Sequence, residues 1–376
     1  LTVTTQPYRF TLREAGGALG DLGTLLPLTL AAITVAGLSA TMVFLGFGLF
    51  YVATGLIYRL PIPVQPMKAV AAVILVAGVS PASVALSGLA IGLILIALGG
   101  SGAIDRLGRL VPQSVMVGLQ LGLGLGLGWV ALGLMRGALL VGGLSLAVAV
   151  VFLLRRGHAA LATLATGLGL GVLLGAPGLS LAPSGAPAMW FAQAITADDI
   201  RIALSDLALP QMALTLTNAV LLTALVARDR FGDRAAHVTP RRLCLTSGLG
   251  NLLFAPLGAL PMCHGAGGVA AHYRFGARSG AAPIMIGAVL IGVAVLPGDW
   301  RAAFFAAIPM ATLGALLLVA ACELAISRRL FDCNASCRPV IAATAAATVL
   351  VNPLIGLFAG TVAEIVRKAI VRRQRA

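Results

Sequence analysis

The sequence predicts an all-α polytopic membrane protein with about fourteen transmembrane segments, arranged as two inverted sets of seven. Long charge-free runs, one-sided basic residues and a weak internal repeat predict it. Of the 376 residues, 59% are hydrophobic and 10% are charged, against roughly 25% charged in soluble domains. Mean hydropathy is +1.02. Asp21 to Arg59 encloses 37 uncharged residues, Lys68 to Asp105 encloses 36, and Arg109 to Arg136 encloses 26. One span needs roughly 20 residues. The two longest runs therefore hold two spans each, folded back at Gly37-Leu38-Ser39 and Gly78-Val79-Ser80-Pro81. The runs are continuous and rich in Leu, Ala and Gly, without the alternation of a β-barrel.

The first seven spans are expected at 17–37, 41–58, 64–78, 82–99, 111–135, 138–154 and 159–175. The second seven are expected at 207–227, 243–259, 264–273, 280–297, 302–325, 338–351 and 353–369. The third and tenth are too short to cross alone and read as half-helices. The first repeat is thus expected over 14–175, a linker over 176–205 (with Pro177, Pro183, Pro187, Asp198 and Asp199), the second repeat over 206–370, and a basic tail over 371–376. No secretory leader is expected, although residue 1 is Leu and the true start is read as missing.

The basic residues fit this topology. Lys+Arg number 26 against 12 Asp+Glu, a net +14. With both termini in the cytoplasm, 22 of the basic residues fall on the inner side, from Arg9 and Arg13 to Arg373 and Arg375. Arg136, Arg201 and Arg301 fall outside, and Lys68 lies within the membrane. That asymmetry is the positive-inside signal. It places the chain in the cell (inner) membrane and removes the need for a nucleic-acid partner.

The repeat is short but ordered. Leu60-Pro61-Ile62-Pro63, followed by Val70-Ala71-Ala72, returns about 200 residues later as Leu260-Pro261-Met262-Cys263, followed by Val269-Ala270-Ala271. Gly20-Asp21-Leu22 returns as Ser205-Asp206-Leu207. An odd number of spans per repeat inverts the second copy, an architecture of transporters that bind substrate between broken helices.

Polar residues at membrane depth are functional by default. Pro63-Val64-Gln65-Pro66-Met67-Lys68 suits a helix starting near Gln65, with Pro66 in its first turn. The free N–H groups of that turn and the positive dipole end make an anion site, to which Gln65 adds a donor and Lys68 a charge. Lys68 reads equally as a lysine snorkelling to the cytoplasmic edge. Cys263-His264-Gly265-Ala266-Gly267 faces this segment through the repeat, its glycines allowing close backbone approach. His264 reads either as a ligand or titrating group or as a buried histidine satisfied by backbone. Thr24 and Asp21 on the first span, and Gln211 and Asn218 on one face of the eighth, complete the candidates. Asp21 and His264 are the candidates for proton coupling. Glu323 and Glu364 sit late in their spans and read as partners of nearby arginines. Cys333 and Cys337 lack a histidine or a second pair, so no metal or other cofactor is expected.

Gly17-Ala18-Leu19-Gly20-Asp21-Leu22-Gly23-Thr24, Pro63-Val64-Gln65-Pro66-Met67-Lys68-Ala69, Pro261-Met262-Cys263-His264-Gly265-Ala266-Gly267-Gly268 and Tyr273-Arg274-Phe275-Gly276-Ala277-Arg278-Ser279-Gly280 together resemble the molybdate transporter family, a branch of the sulfate permease superfamily. The resemblance implies a core (gate) domain moving against a scaffold domain. It also implies an oxyanion site between the third and tenth half-helices, lined by the first and eighth spans. A C-terminal regulatory domain is not expected, as in that branch.

The function expected is secondary active uptake of molybdate, with sulfate next, by alternating access and with proton coupling. A homodimer is left open. A passive anion channel is the alternative from another class. A nucleobase permease of the same fold is disfavoured because neither 207–227 nor 261–273 contains a carboxylate. No phosphate-loop signature supports an ATP-driven pump, and an enzyme or redox role would rest only on the stray cysteines.

Overall fold

A computed structural model describes residues 8–104, 112–155, 157–178, 195–326 and 328–375. Of the residues named above, Asp105, Arg109, Pro183 and Pro187 lie outside these, and so do the side chains of Arg301, Arg373 and Arg375.

The first half holds α1 (Leu12–Ala36), α2 (Ala40–Tyr58), the two-residue strand β1 (Gln65–Pro66), α3 (Lys68–Ala77), α4 (Pro81–Ser101), α5 (Gln113–Arg136), α6 (Leu139–Leu154) and α7 (Ala159–Leu174). The second holds α8 (Ala197–Ala235), α9 (Pro240–Phe254), β2 (Met262–Cys263), α10 (Ala266–Arg274), α11 (Ala281–Val295), α12 (Gly298–Ala306), α13 (Met310–Ala325), α14 (Arg338–Leu350) and α15 (Pro353–Arg375). Local chemistry sets the boundaries. Ser39 and Ser80 cap α2 and α4 through their side chains, and left-handed Gly37 ends α1.

Three boundaries differ from expectation. Helix α8 begins at Ala197, inside the stretch read as linker, because Thr196 and Asp199 form a reciprocal capping box. The twelfth span is broken into α12 and α13, since Pro309 cannot donate to a helix and disfavours helical geometry at Ile308. The break is tied down by the Met310 N–H, which donates to the Pro177 carbonyl at 3.1 Å. Helix α3 starts at Lys68, three residues later than read, because Gln65 and Pro66 are drawn into a strand.

The packing has the pairing that an inverted repeat requires. Helix α2 packs on α11, and its counterpart α9 packs on α4; α5 meets α14 as α13 meets α6; α6 lies on α7 as α14 lies on α15. The α2–α11 and α4–α9 crossings are close because glycines meet backbone to backbone. A Cβ on Gly48 would fall 2.8 Å from the Gly287 carbonyl, and one on Gly248 would fall 3.0 Å from that of Gly92. Small residues at helix crossings are the usual device for tight packing in lipid, where apolar side chains gain little from leaving their solvent. The heaviest helix–helix packing falls within two sets, α1–α4 with α8–α11 and α5–α7 with α13–α15. The pairing fails at two places. Helix α1 packs on α13, but α8 makes no comparable packing against α5 among the described residues. Helix α3 packs on α5, but α10 makes no comparable packing against α13 among the described residues.

Candidate functional site

The site is built on the crossing of two extended segments. Prolines 61, 63 and 66 prevent helix between α2 and α3, so this stretch runs extended. Strands β1 and β2 pair antiparallel, Gln65 opposite Cys263 and Pro66 opposite Met262, and the Met67 N–H donates to the Pro261 carbonyl at 3.0 Å. One step further, this register sets Val64 opposite His264, residues separated by the 200-residue offset of the repeat. A local two-fold axis therefore runs through the crossing, and α3 and α10 start on either side of it. Asn251, 1% exposed, clamps β2: its amide donates to the Met262 carbonyl at 2.6 Å, and its oxygen accepts from the Met262 N–H at 3.0 Å.

Two cavities flank the crossing. The larger, about 720 Å³, fills the gap between α10 and α13. Asp21, Thr24, Gln65, Lys68 and Gly267 line it, with Arg230, Arg274, His158 and Glu323 toward the basic end of the fold. The smaller, about 20 Å³, has room for about one water. Gln65, Pro66, Lys68, Gln211, Asn218, Cys263 and His264 line it, together with Gln120 of α5. Gln65 and Lys68 alone of the polar candidates line both. Gln211 and Asn218 thus do share a face, although α8 widens into a π-helix over Thr215–Leu222. Met67, Gly265 and Ala266 line neither cavity; they supply the caps and first turn of α3 and α10.

The polar candidates are held in three networks. Gln65 Nε2 donates to Asp21 Oδ1 at 2.5 Å, and the Tyr51 hydroxyl donates to Asp21 Oδ2 at 3.3 Å. Gln211 Oε1 accepts from the Ala69 N–H at 2.8 Å, and its amide donates to the Thr215 hydroxyl at 2.9 Å. One orphan amide at the start of α3 is therefore already satisfied by the protein. His264 Nδ1 donates to the Pro63 carbonyl at 2.9 Å, its Nε2 lies 2.8 Å from the Thr246 hydroxyl, and its ring sits against Tyr58 and Phe50. Both imidazole nitrogens are thus engaged within the fold, which is the satisfied-histidine arrangement. Lys68 makes no hydrogen bond or ion pair within 4 Å among the described residues. It is half-buried at the first position of α3.

Sequence reasoning passed over Tyr51, Gln120 and Asn251, although each is a polar side chain inside a span, which is itself the signal. It grouped Glu323 with Glu364. Glu364 is indeed paired, with Arg367 at 2.6 Å and the Ser114 hydroxyl at 2.8 Å. Glu323 instead faces the large cavity.

A charged residue at the start of a short helix, opposite a second short helix and beside a water-sized and a larger cavity, is a construction of membrane transporters. The fold agrees. The chain superposes on the transmembrane domain of a cyanobacterial bicarbonate transporter, BicA, with TM-score 0.65 and 17% identity, covering 94% of this chain and 98% of that one. It also superposes on the murine Solute Carrier 26 family member A9 anion transporter in its inward-facing state, with TM-score 0.68 and 14% identity, over 100% of this chain and 70% of that one. The protein is a multi-pass membrane anion transporter and not an enzyme. It belongs to the family described as molybdate transporter of MFS superfamily, whose pattern matches residues 13–127 and 203–324. Molybdate transporter 2 of Arabidopsis thaliana is 30% identical over 370 residues, 84% of this chain and 78% of that protein. Molybdate transporter 1 of Chlamydomonas reinhardtii is 28% identical, over 84% of each.

Proposed function

We propose that the protein takes up molybdate across the cell membrane by alternating access, coupled to protons, with both termini cytoplasmic. The observation that carries this reading is the position of Lys68. It stands at the N-terminus of α3, faces that of α10, and lines both cavities. Two helix N-termini of about +0.5 each and one ammonium give roughly +2, which matches a tetrahedral dianion. Thr24, Gln65, Pro66, Met67, Gln211, Asn218, Cys263, His264, Gly265, Ala266 and Gly267 complete the site, some through side chains and others as backbone that shapes it. Asp21 and His264 are the coupling candidates in the crossing. The missing packing between α10 and α13, with a cavity in its place, supports a core open on the basic side. Rocking of α1–α4 and α8–α11 against the second set would close that cavity and open the opposite one. Sulfate shares the charge and shape of molybdate and is the next substrate. A homodimer in the bilayer is compatible with this movement.

Radiolabelled molybdate uptake into proteoliposomes, with and without a pH gradient, tests the reading. Flux that saturates, shows counterflow and rises with an inward proton gradient is the expected result. Absence of oxyanion flux refutes transport. Flux without counterflow indicates a channel, and flux indifferent to the gradient refutes coupling alone. Competition by sulfate in the same vesicles ranks the two anions.

A further inference from the structure

We propose that Glu323 of α13, rather than a residue of the crossing, carries the proton that accompanies the oxyanion. The inference rests on the proton-coupled reading above and assigns its site.

The acids near Lys68 differ in what holds them. Asp21 is 3% exposed and accepts from two donors, Gln65 and Tyr51. Adding a proton to Asp21 would turn an acceptor into a donor and break one of those bonds. His264 has both nitrogens engaged. Glu323 accepts no hydrogen bond and makes no ion pair within 4 Å among the described residues, and its side chain is open to the large cavity. It can gain or lose a proton without rearranging its surroundings.

Its placement suits the task. Glu323 is in the second set of helices, whereas Lys68, Asp21 and Arg274 are in the first. The charges of Lys68 and Arg274 act on Glu323, and Glu323 in turn acts on Asp21. The other groups facing it across the cavity are His158 before α7, Arg230 of α8 and Tyr273 of α10. Movement of one set against the other changes the distance between Glu323 and Lys68. Binding of a dianion has the same consequence by another route, because it neutralises the lysine that Glu323 answers to. A dianion bound at Lys68 adds two negative charges beside a cavity that Asp21 and Glu323 also line, and a proton on Glu323 offsets one of them. The proton enters with the anion and leaves to cavity water when the anion leaves.

The experiment compares wild type, Glu323→Gln and Glu323→Asp in proteoliposomes. It measures molybdate counterflow without a gradient and molybdate accumulation driven by an inward proton gradient. Expected is counterflow in Glu323→Gln that no longer varies with pH, accumulation reduced roughly tenfold or more, and partial recovery in Glu323→Asp with a displaced pH profile. Wild-type accumulation in Glu323→Gln would overturn the assignment while leaving proton coupling intact. Loss of counterflow in both variants would overturn it by marking Glu323 as structural. Wild-type flux that ignores the gradient would remove the coupled reading itself, and the assignment with it.

Discussion

Replacing Lys68 by Met removes the charge and keeps most of the aliphatic stem, so the start of α3 is left packed. A unit charge pair at about 4 Å is worth about 4 kcal/mol at an effective dielectric constant near 20, and a dianion doubles that gross attraction. The net effect is smaller. Lys68 is half-buried and already acts on Asp21 and Glu323, so part of the attraction only replaces what those acids provide. Truncating one partner of a desolvated charge pair generally costs 2–5 kcal/mol. About 3 kcal/mol is expected here, which is roughly a hundredfold weaker binding. Equilibrium binding of radiolabelled molybdate to the purified protein at fixed ionic strength measures it directly. Lys68→Arg, which keeps the charge, should recover most of the affinity. An affinity in Lys68→Met within about threefold of wild type would refute the reasoning: the dipole ends of α3 and α10 would then bind the anion alone, and Lys68 would be a snorkelling residue.

Other variants probe the frame around that lysine. A Cβ on Gly268 would lie 2.6 Å from Pro63 Cγ and 2.8 Å from Gln65 Nε2, so Gly268→Ala should cost about 1–3 kcal/mol and lower the thermal midpoint. Its neighbour Gly267 has open space at the same position, within the large cavity; Gly267→Ala should fold normally and weaken molybdate binding. Asn251→Ala leaves both backbone groups of Met262 without partners in a buried site, and should lower stability by about 2–4 kcal/mol in a denaturation experiment. At the start of α8, the hydroxyls of Ser80, Thr196 and Ser83 and the Thr196 N–H hold the Asp199 carboxyl well below the usual carboxylate range. A carboxyl held low contributes its stability above its ordinary titration and loses it as pH falls through the folded value. The gap in thermal midpoint between wild type and Asp199→Ala should therefore stay level from neutral pH down to about pH 4 and close below it.

Much of this was legible in the chain. Charge-free runs and one-sided basic residues mark the spans, because hydrocarbon solvates neither charge nor open backbone. The short repeats near Leu60 and Leu260 mark the crossing, because three prolines in six residues leave no helix to build there. The same prolines misled over the start of α3. Proline is compatible with a first helical turn and with a short strand alike, and only the arrival of Met262 and Cys263 from 200 residues away chose the strand. Glu323 and Glu364 look alike in sequence, each late in an apolar span. Their difference lies in what reaches them: Arg367 one turn along the same helix for Glu364, and a cavity facing Lys68 for Glu323.

The sequence by itself marked the long apolar runs, the uneven spacing of the basic residues between them, and two polar, broken segments 200 residues apart. Those are one-dimensional properties of solubility and backbone hydrogen bonding. The tertiary structure alone decided which polar groups are consumed by the protein and which remain for a ligand. Gln211 spends its oxygen on Ala69, His264 spends both nitrogens on the frame, and Asp21 is held by Gln65 and Tyr51, while Lys68 and Glu323 are left facing the large cavity. Hydrogen bonds and ion pairs are settled by distances of a few ångströms between segments far apart in the chain, and no spacing along one segment encodes them.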